Sequence, residues 1–344
     1  MALHQAIQRL LLIGVRLESF PPLPRVDAPR RLAPLIAAVE AAHRQFDQRA
    51  LDYGNRYRSG FWGIYLLSAI AVLCAVLPLA LGWDSPQNVF HPFARVWAIC
   101  EVVLIGIVVL IYWRGHRSDW QGEWLRARTT AELTSYLPML APLLDFNAPA
   151  VESNWYVREF DPGQHLRTAD DVSVLCSQLE PQARAQLVGA WSDPEFVSSY
   201  VQWTVSTLEQ QRRYHSRVAA KQHALLHRVH FINGVLFGLT ALAALLHLFV
   251  HELWLSLVTT FFPALGASLH GALAQSEAYR LGTTSERLAR DLGDAVARIQ
   301  HSVATVTGDP VVAVKDSIAG ALALILEEHQ DWNLLVRPHH LPLA

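Results

Sequence analysis

The chain has 344 residues, of which 52% are hydrophobic and 17% charged, with a formal net charge of −2. Soluble domains usually carry about a quarter charged residues, so this balance points to lipid, and the near-neutral charge excludes the global basic field of a nucleic-acid duplex binder. Three cysteines make no disulfide framework.

The chain opens with a short apolar run, LLLIGV, at 10–15. It is too short for a secretory leader and no small-residue cleavage pattern follows. It suits part of an amphipathic helix lying on a surface. Leu32, Leu35, Ile36, Val39 and Phe46 then form an apolar stripe at helical spacing. Residues 1–58 read as an N-terminal cytoplasmic helical region.

Four apolar stretches follow. Gly60–Trp83 carries no charged side chain, and Val96–Trp113 is apolar except for Glu101. Val229–His251 and Leu253–Ser276 carry no formal charge, although His230 and His247 lie in the third. About 20 apolar residues cross a bilayer core as a helix, so each qualifies as a span. The connection between the third and fourth is so short that they must be antiparallel neighbours, and the first two pair likewise. The fold class expected is all-α and integral to the membrane: four transmembrane helices in two hairpins with long cytoplasmic extensions. Arg44, Arg49, Arg56 and Arg58 precede the first span, and Arg114, Arg117, Arg126 and Arg128 follow the second. Arg212, Arg213, Arg217, Lys221 and Arg228 precede the third, while Arg280, Arg287 and Arg290 follow the fourth. The outer loops hold only Arg95, so both termini are expected in the cytoplasm.

Within the spans, Gly234 with Gly238 and Ala267 with Gly271 have the small-xxx-small spacing of close helix contacts. Pro263 is expected to bend the fourth span. Beyond the second span, Trp120, Trp124, Ala127 and Ala131 make a stripe, and beyond the fourth so do Leu288, Leu292, Ala295, Ile299 and Val303. The spans therefore read as continuing into cytoplasmic helices that need partners. The organisation expected is a first hairpin with its helix at 59–144, a linker or small soluble segment at 145–199, a second hairpin at 200–305, and an amphipathic helix with a tail at 306–344. SDPE at 192–195 reads as an N-cap, a first-turn proline and a capping-box glutamate.

One signature is written twice. RARTTAE starts at Arg126 and RLGTTSE at Arg280, each after the second span of a hairpin. Duplication of a hairpin module explains the pattern. The residues singled out are Arg126, Thr129, Thr130 and Glu132, with Arg280, Thr283, Thr284 and Glu286. They suit a capping box at Thr283 and Glu286, a helix–helix contact with Arg–Glu pairing, or a ligand site. Polar groups within spans are candidates for a conduit lining: Glu101, Ser256, Thr259, Thr260, Ser268 and His270. Hydrogen bonding to their own helices is the competing role.

No Walker A, GxGxxG, HExxH or GxSxG run occurs, so no enzyme, catalytic residue or cofactor is expected. His223, His227 and His230, like His247 and His251, have i,i+4 spacing, but no carboxylate or cysteine joins them at ligand spacing, and no metal is expected.

FFPALGASLHGALAQSEAYRLGTTSERLARDL at 261–292, WLRARTTAELTSYL at 124–137 and LILEEHQDWNLLV at 324–336 together resemble the SLATT family and the related DUF4231 group. That resemblance implies a bacterial two-helix membrane effector of antiviral defence that assembles and permeabilises the inner membrane. It implies as partners the bilayer, further copies of the chain, and a nucleotide second messenger or adjacent sensor protein. The chain departs from the family in its two hairpins and in the segment 145–199. Two other readings remain open: a membrane-anchored sensor or scaffold binding a nucleotide or partner protein, and a repeat-built transporter. Against the transporter, both halves share one orientation and no broken helix marks a midplane site.

Overall fold

The computed structural model describes residues 2–17, 19–143, 187, 189–250, 252–305 and 310–336. Most of the 145–199 segment, Cys176, His251 and the final tail lie outside them. Eight α-helices are present among the described residues: α1 (Leu3–Leu11), α2 (Ala33–Ala80), α3 (His91–Arg117), α4 (Trp120–Leu140), α5 (Pro194–His247), α6 (Leu253–Gln275), α7 (Ala278–Thr305) and α8 (Pro310–Val336). No strand occurs among the described residues. Four helical stretches are long and apolar enough to cross a membrane, and they overlap the four spans read from the sequence, the first ending at Ala80 and the third at His247.

Each half repeats one plan. A long helix, α2 or α5, runs unbroken from the polar part of the molecule through an apolar segment. A second apolar helix, α3 or α6, returns beside it, and a shorter polar helix, α4 or α7, packs back along the long one. At about 1.5 Å per residue the 48-residue α2 spans roughly 72 Å and the 54-residue α5 roughly 81 Å. The apolar helices stand in the row α3–α2–α6–α5. Both hairpin pairings are as expected; the contact of the first span with the fourth joins the halves. The two run antiparallel and in register. Gln275 donates to the Tyr57 hydroxyl at one end, and at the other Leu253 Cδ1 would lie 4.0 Å from a Cβ on Gly82.

Two cores hold this arrangement. The polar core gathers the predicted stripes: Leu32, Leu35 and Val39 meet Leu133 and Leu137, and Leu288, Leu292, Ala295 and Ile299 meet Ile318 and Leu322 of α8. Tyr200 is fully buried there, donates to the Met139 carbonyl and stacks on Phe196. The second core, around Tyr57, Phe61, Trp62, Trp124, Leu225 and Leu273, lies where apolar and polar segments meet.

Three local expectations need correction. The helices do not continue smoothly out of the second and fourth spans. Each breaks at a non-glycine residue in the left-handed region, Asp119 (φ 43°) and Glu277 (φ 51°), and then restarts. The N-cap of α5 is Asp193, not Ser192: its carboxylate accepts from the Glu195 and Phe196 amides. Nothing lies within 4 Å of a Cβ on Gly234 or Gly238, so that GxxxG makes no close contact in one chain. Gly271 does: a Cβ there would sit 2.5 Å from Tyr65 Cε1. Its proposed companion Ala267 is exposed.

Candidate functional site

The repeated signature resolves at the two breaks. Arg126 bonds Asp119 at 2.9 Å and Glu123 at 2.7 Å, while Arg280 lies 3.7 Å from Glu277. In each half the signature arginine therefore pairs with the acid that holds the left-handed joint. A left-handed conformation costs an L-residue about 1–2 kcal/mol, and a charge pair on that residue helps to offset it. The threonines turn back onto their own helices: Thr129 donates to the Leu125 carbonyl, Thr130 to Arg126 and Thr283 to Tyr279. Thr284 is half-buried. Glu132 pairs with Arg128 on its own helix, and Glu286 lies 3.6 Å from His223 on α5. Thr283 and Glu286 fall inside α7, so the capping-box reading is wrong.

The signatures also fall one helical turn out of step. Arg126 is seven residues past its joint and Arg280 three. A different pair of positions is equivalent. Five residues beyond each joint the two polar helices of that half meet at a glycine. In the first half Trp124 packs onto Gly54, and in the second His223 and Gln222 pack onto Gly282. The glycine has changed helix while the approach is kept.

Between the halves lies a cavity of about 440 Å³, just beyond the polar ends of the spans. Seven helices and the Glu277 joint supply its wall. They include His4, Gln5 and Gln8 from α1, Arg58 and Trp62 from α2, and Arg128, Glu132 and Tyr136 from α4. Tyr214, His215 and Lys221 come from α5, Gln275 and Ser276 from the end of α6, Glu277 from the joint, and Ser285 from α7. An adjoining cleft of about 550 Å³ shares Arg128, Glu132, Gln211 and Tyr214, and adds Arg213, Arg217 and Phe20–Leu23.

The wall is electrically unbalanced. Its two acids already have cations, Glu132 on Arg128 and Glu277 on Arg280. Arg58 and Lys221 are half-buried and make no ion pair among the described residues. Arg58 donates to the Gly54 carbonyl at 3.0 Å and lies 5.2 Å from the Trp124 ring centre. The titrations register the resulting field. Burial, then Arg58 and Lys221, press His4 down to about 4. Burial and then Arg128 press His215 down to about 4. Lys221 is lowered by burial and by Arg58 and Arg9. Cations crowded into a partly dry recess disfavour further positive charge and favour an anion. Beside them Tyr214 supplies exposed aromatic surface, while Trp62 and Tyr136 are buried in the wall behind.

Of the signature residues only Glu132 reaches this cavity; the second repeat contributes its intervening Leu281 and Ser285. Sequence reasoning listed Arg58 and Lys221 only as orientation charges. The available signal was that neither has an acid three or four residues away on its own helix, as surface cations often do.

The conduit candidates differ in burial within one chain. On α6, Ser268 is buried, Ser256 and Thr259 are half-buried, and Thr260 and His270 are exposed. Thr259 donates to the Leu255 and Ser256 carbonyls. Glu101 is half-buried on α3. Among the described residues no three His, Cys, Asp or Glu side chains converge as a metal set.

Comparison with protein-family models, with curated proteins and with solved structures finds no match, so the likeness to SLATT proteins stands on its residue runs alone.

Proposed function

We propose that the chain is an inner-membrane receptor: four helices cross the bilayer, the polar helices face the cytoplasm, and the cavity between the halves binds a phosphorylated ligand of the nucleotide class. The observation that carries this reading is the pair Arg58 and Lys221, cations without acids in a recess walled by aromatic rings. Phosphate supplies the missing negative charge, and charge-assisted hydrogen bonds to it are strong where water is partly excluded. A base has the exposed Tyr214 ring to lie against.

The test is calorimetry on the full chain in lipid nanodiscs, titrated with mononucleotides, cyclic nucleotides and inorganic phosphate. A saturable nucleotide isotherm weakened at least about tenfold by Lys221→Gln supports the reading, since a charged hydrogen bond is worth roughly 1.5–3 kcal/mol. Binding to none of these ligands, or binding indifferent to Lys221→Gln and Arg58→Gln, overturns it.

The second reading is a defence effector that permeabilises the membrane as an assembly of several copies. It draws on α3, whose apolar window is only 6% buried within one chain and which carries Glu101. An ionisable group on so uncovered a span favours a neighbouring helix or water over lipid. Membrane potential in cells expressing the chain, with and without the ligand found above, tests it. Ligand-dependent depolarisation lost in Glu101→Leu supports this output, and an unchanged potential in liganded cells removes it.

A further inference from the structure

Helix α1 has two edges with different surroundings. On one, His4 is buried with its Nδ1 3.2 Å from Ser59 Oγ, and Gln5 and Gln8 face the cavity. On the other side, Leu3, Leu10 and, just past the helix, Ile13 are 51%, 67% and 65% exposed.

Both ends of the helix are tied to the mouths of spans. Ser59 immediately precedes the first span, and Leu3 Cδ2 would lie 3.7 Å from a Cβ on Gly63, just inside it. Arg228 immediately precedes the third span and donates to the Leu11 carbonyl at 3.2 Å and the Ile13 carbonyl at 2.6 Å. Helix α1 therefore bridges α2 and α5 at the level where the apolar segments end. Its exposed leucines lie beside the ends of the spans, and Arg9 is exposed on the flank between them and the cavity edge. An amphipathic helix held at that level with a basic residue on its flank has the chemistry of an interfacial helix on anionic lipid.

We infer that α1 is an interfacial lid: Leu3, Leu10 and Ile13 dock into the anionic cytoplasmic leaflet, and the same helix closes the cavity between the halves. The docking rests on the membrane placement proposed above, and the closing role on the receptor reading. A ligand entering from the cytoplasm then displaces α1 from the leaflet, so lipid composition sets the entry rate.

The test uses the full chain with Cys74, Cys100 and Cys176 replaced by serine, in nanodiscs containing phosphatidylglycerol. Leu10→Cys and Gln8→Cys are labelled separately with an environment-sensitive fluorophore. Quenching by shallow nitroxide lipids at least about threefold stronger at position 10 than at position 8 is expected of an interfacial helix. Equal quenching, or quenching of the position 10 label by aqueous iodide instead, overturns the docking. This arm needs no ligand, so it stands apart from any failure of the receptor reading. The second arm compares association rates of the nucleotide found by calorimetry with the wild type and with a Leu3→Ser, Leu10→Ser, Ile13→Ser variant. A severalfold faster on-rate in the variant supports the lid, and an unchanged rate overturns it.

Discussion

Acidification from about pH 7.5 to about pH 5 is expected to tighten binding of a phosphodiester anion by roughly tenfold. With the cavity empty, His4 and His215 are held down to about 4, first by burial and then by Arg58 and Lys221 around His4 and Arg128 beside His215. Both rings are then largely neutral across this range. An anion seated among them favours the charged ring. If it lifts one histidine to about 6, still below the ordinary value near 6.5, the complex takes up a proton that the empty protein does not, and the gain at pH 5 is about tenfold. The sign is fixed by this uptake: affinity rises as pH falls and is flat above about pH 7. Stability of the empty protein moves the other way. The unfolded histidines bind protons near 6.5 and the folded ones near 4, so stability present above 6.5 is lost as pH falls. Calorimetry with 3′,5′-cyclic GMP, whose phosphodiester keeps one charge throughout, measures the effect, with thermal unfolding recorded at each pH. An affinity that is constant or weaker at pH 5 while the protein stays folded would refute the argument. So would a slope that survives His4→Gln combined with His215→Gln.

Four further outcomes are expected from the packing and the ion pairs. Gly271→Val drives a side chain into the Tyr65 ring, where a Cβ alone would stand 2.5 Å from Cε1, and lowers stability by about 1–3 kcal/mol in detergent unfolding. Gly234→Ala, with nothing within 4 Å, is expected to be neutral or stabilising by up to about 1 kcal/mol in the same assay. Tyr200→Phe leaves the Met139 carbonyl without its buried donor and costs about 1–2 kcal/mol, read as a lowered unfolding midpoint. Arg126→Ala and Arg280→Ala, at half-exposed pairs, each cost less than about 1 kcal/mol; a collapse of the fold on either change would show that the joints depend on them far more than the geometry indicates.

The spans were legible because lipid demands long uncharged runs, and the polar stripes because burial on one side of a helix recurs every third or fourth residue. Leu288, Leu292, Ala295 and Ile299 are buried as their spacing implied, whereas Val303 is 57% exposed. The joints were not legible. Asp119 and Glu277 adopt a conformation that sequence signals assign to glycine, and the arginines that pair with them sit at different distances along the chain. GxxxG spacing reports that two glycines share a face and says nothing of what that face meets. Gly266 and Gly271 make the contacts, against Asn233 and Tyr65, while Gly234 and Gly238 make none. The cavity left only a faint local trace, the lack of an acid one turn away from Arg58 and Lys221, because its cations and histidines arrive from separate helices and meet only when the two halves pack.

The unbroken course of α2 and α5 carries a mechanical consequence. Lys221 lies near the midpoint of Pro194–His247, and Arg58 near the midpoint of Ala33–Ala80. The cavity thus sits at the fulcrum of two stiff rods, while α3 and α6 are hinged to their polar partners at Asp119 and Glu277. For α5, with arms of about 40 Å on either side, a tilt of about 5° at the fulcrum swings each tip by about 3 Å in opposite directions. Leverage of this kind would carry a small rearrangement around Arg58 and Lys221 to the far apolar ends of α2 and α5, with no need for a relay of side chains along them.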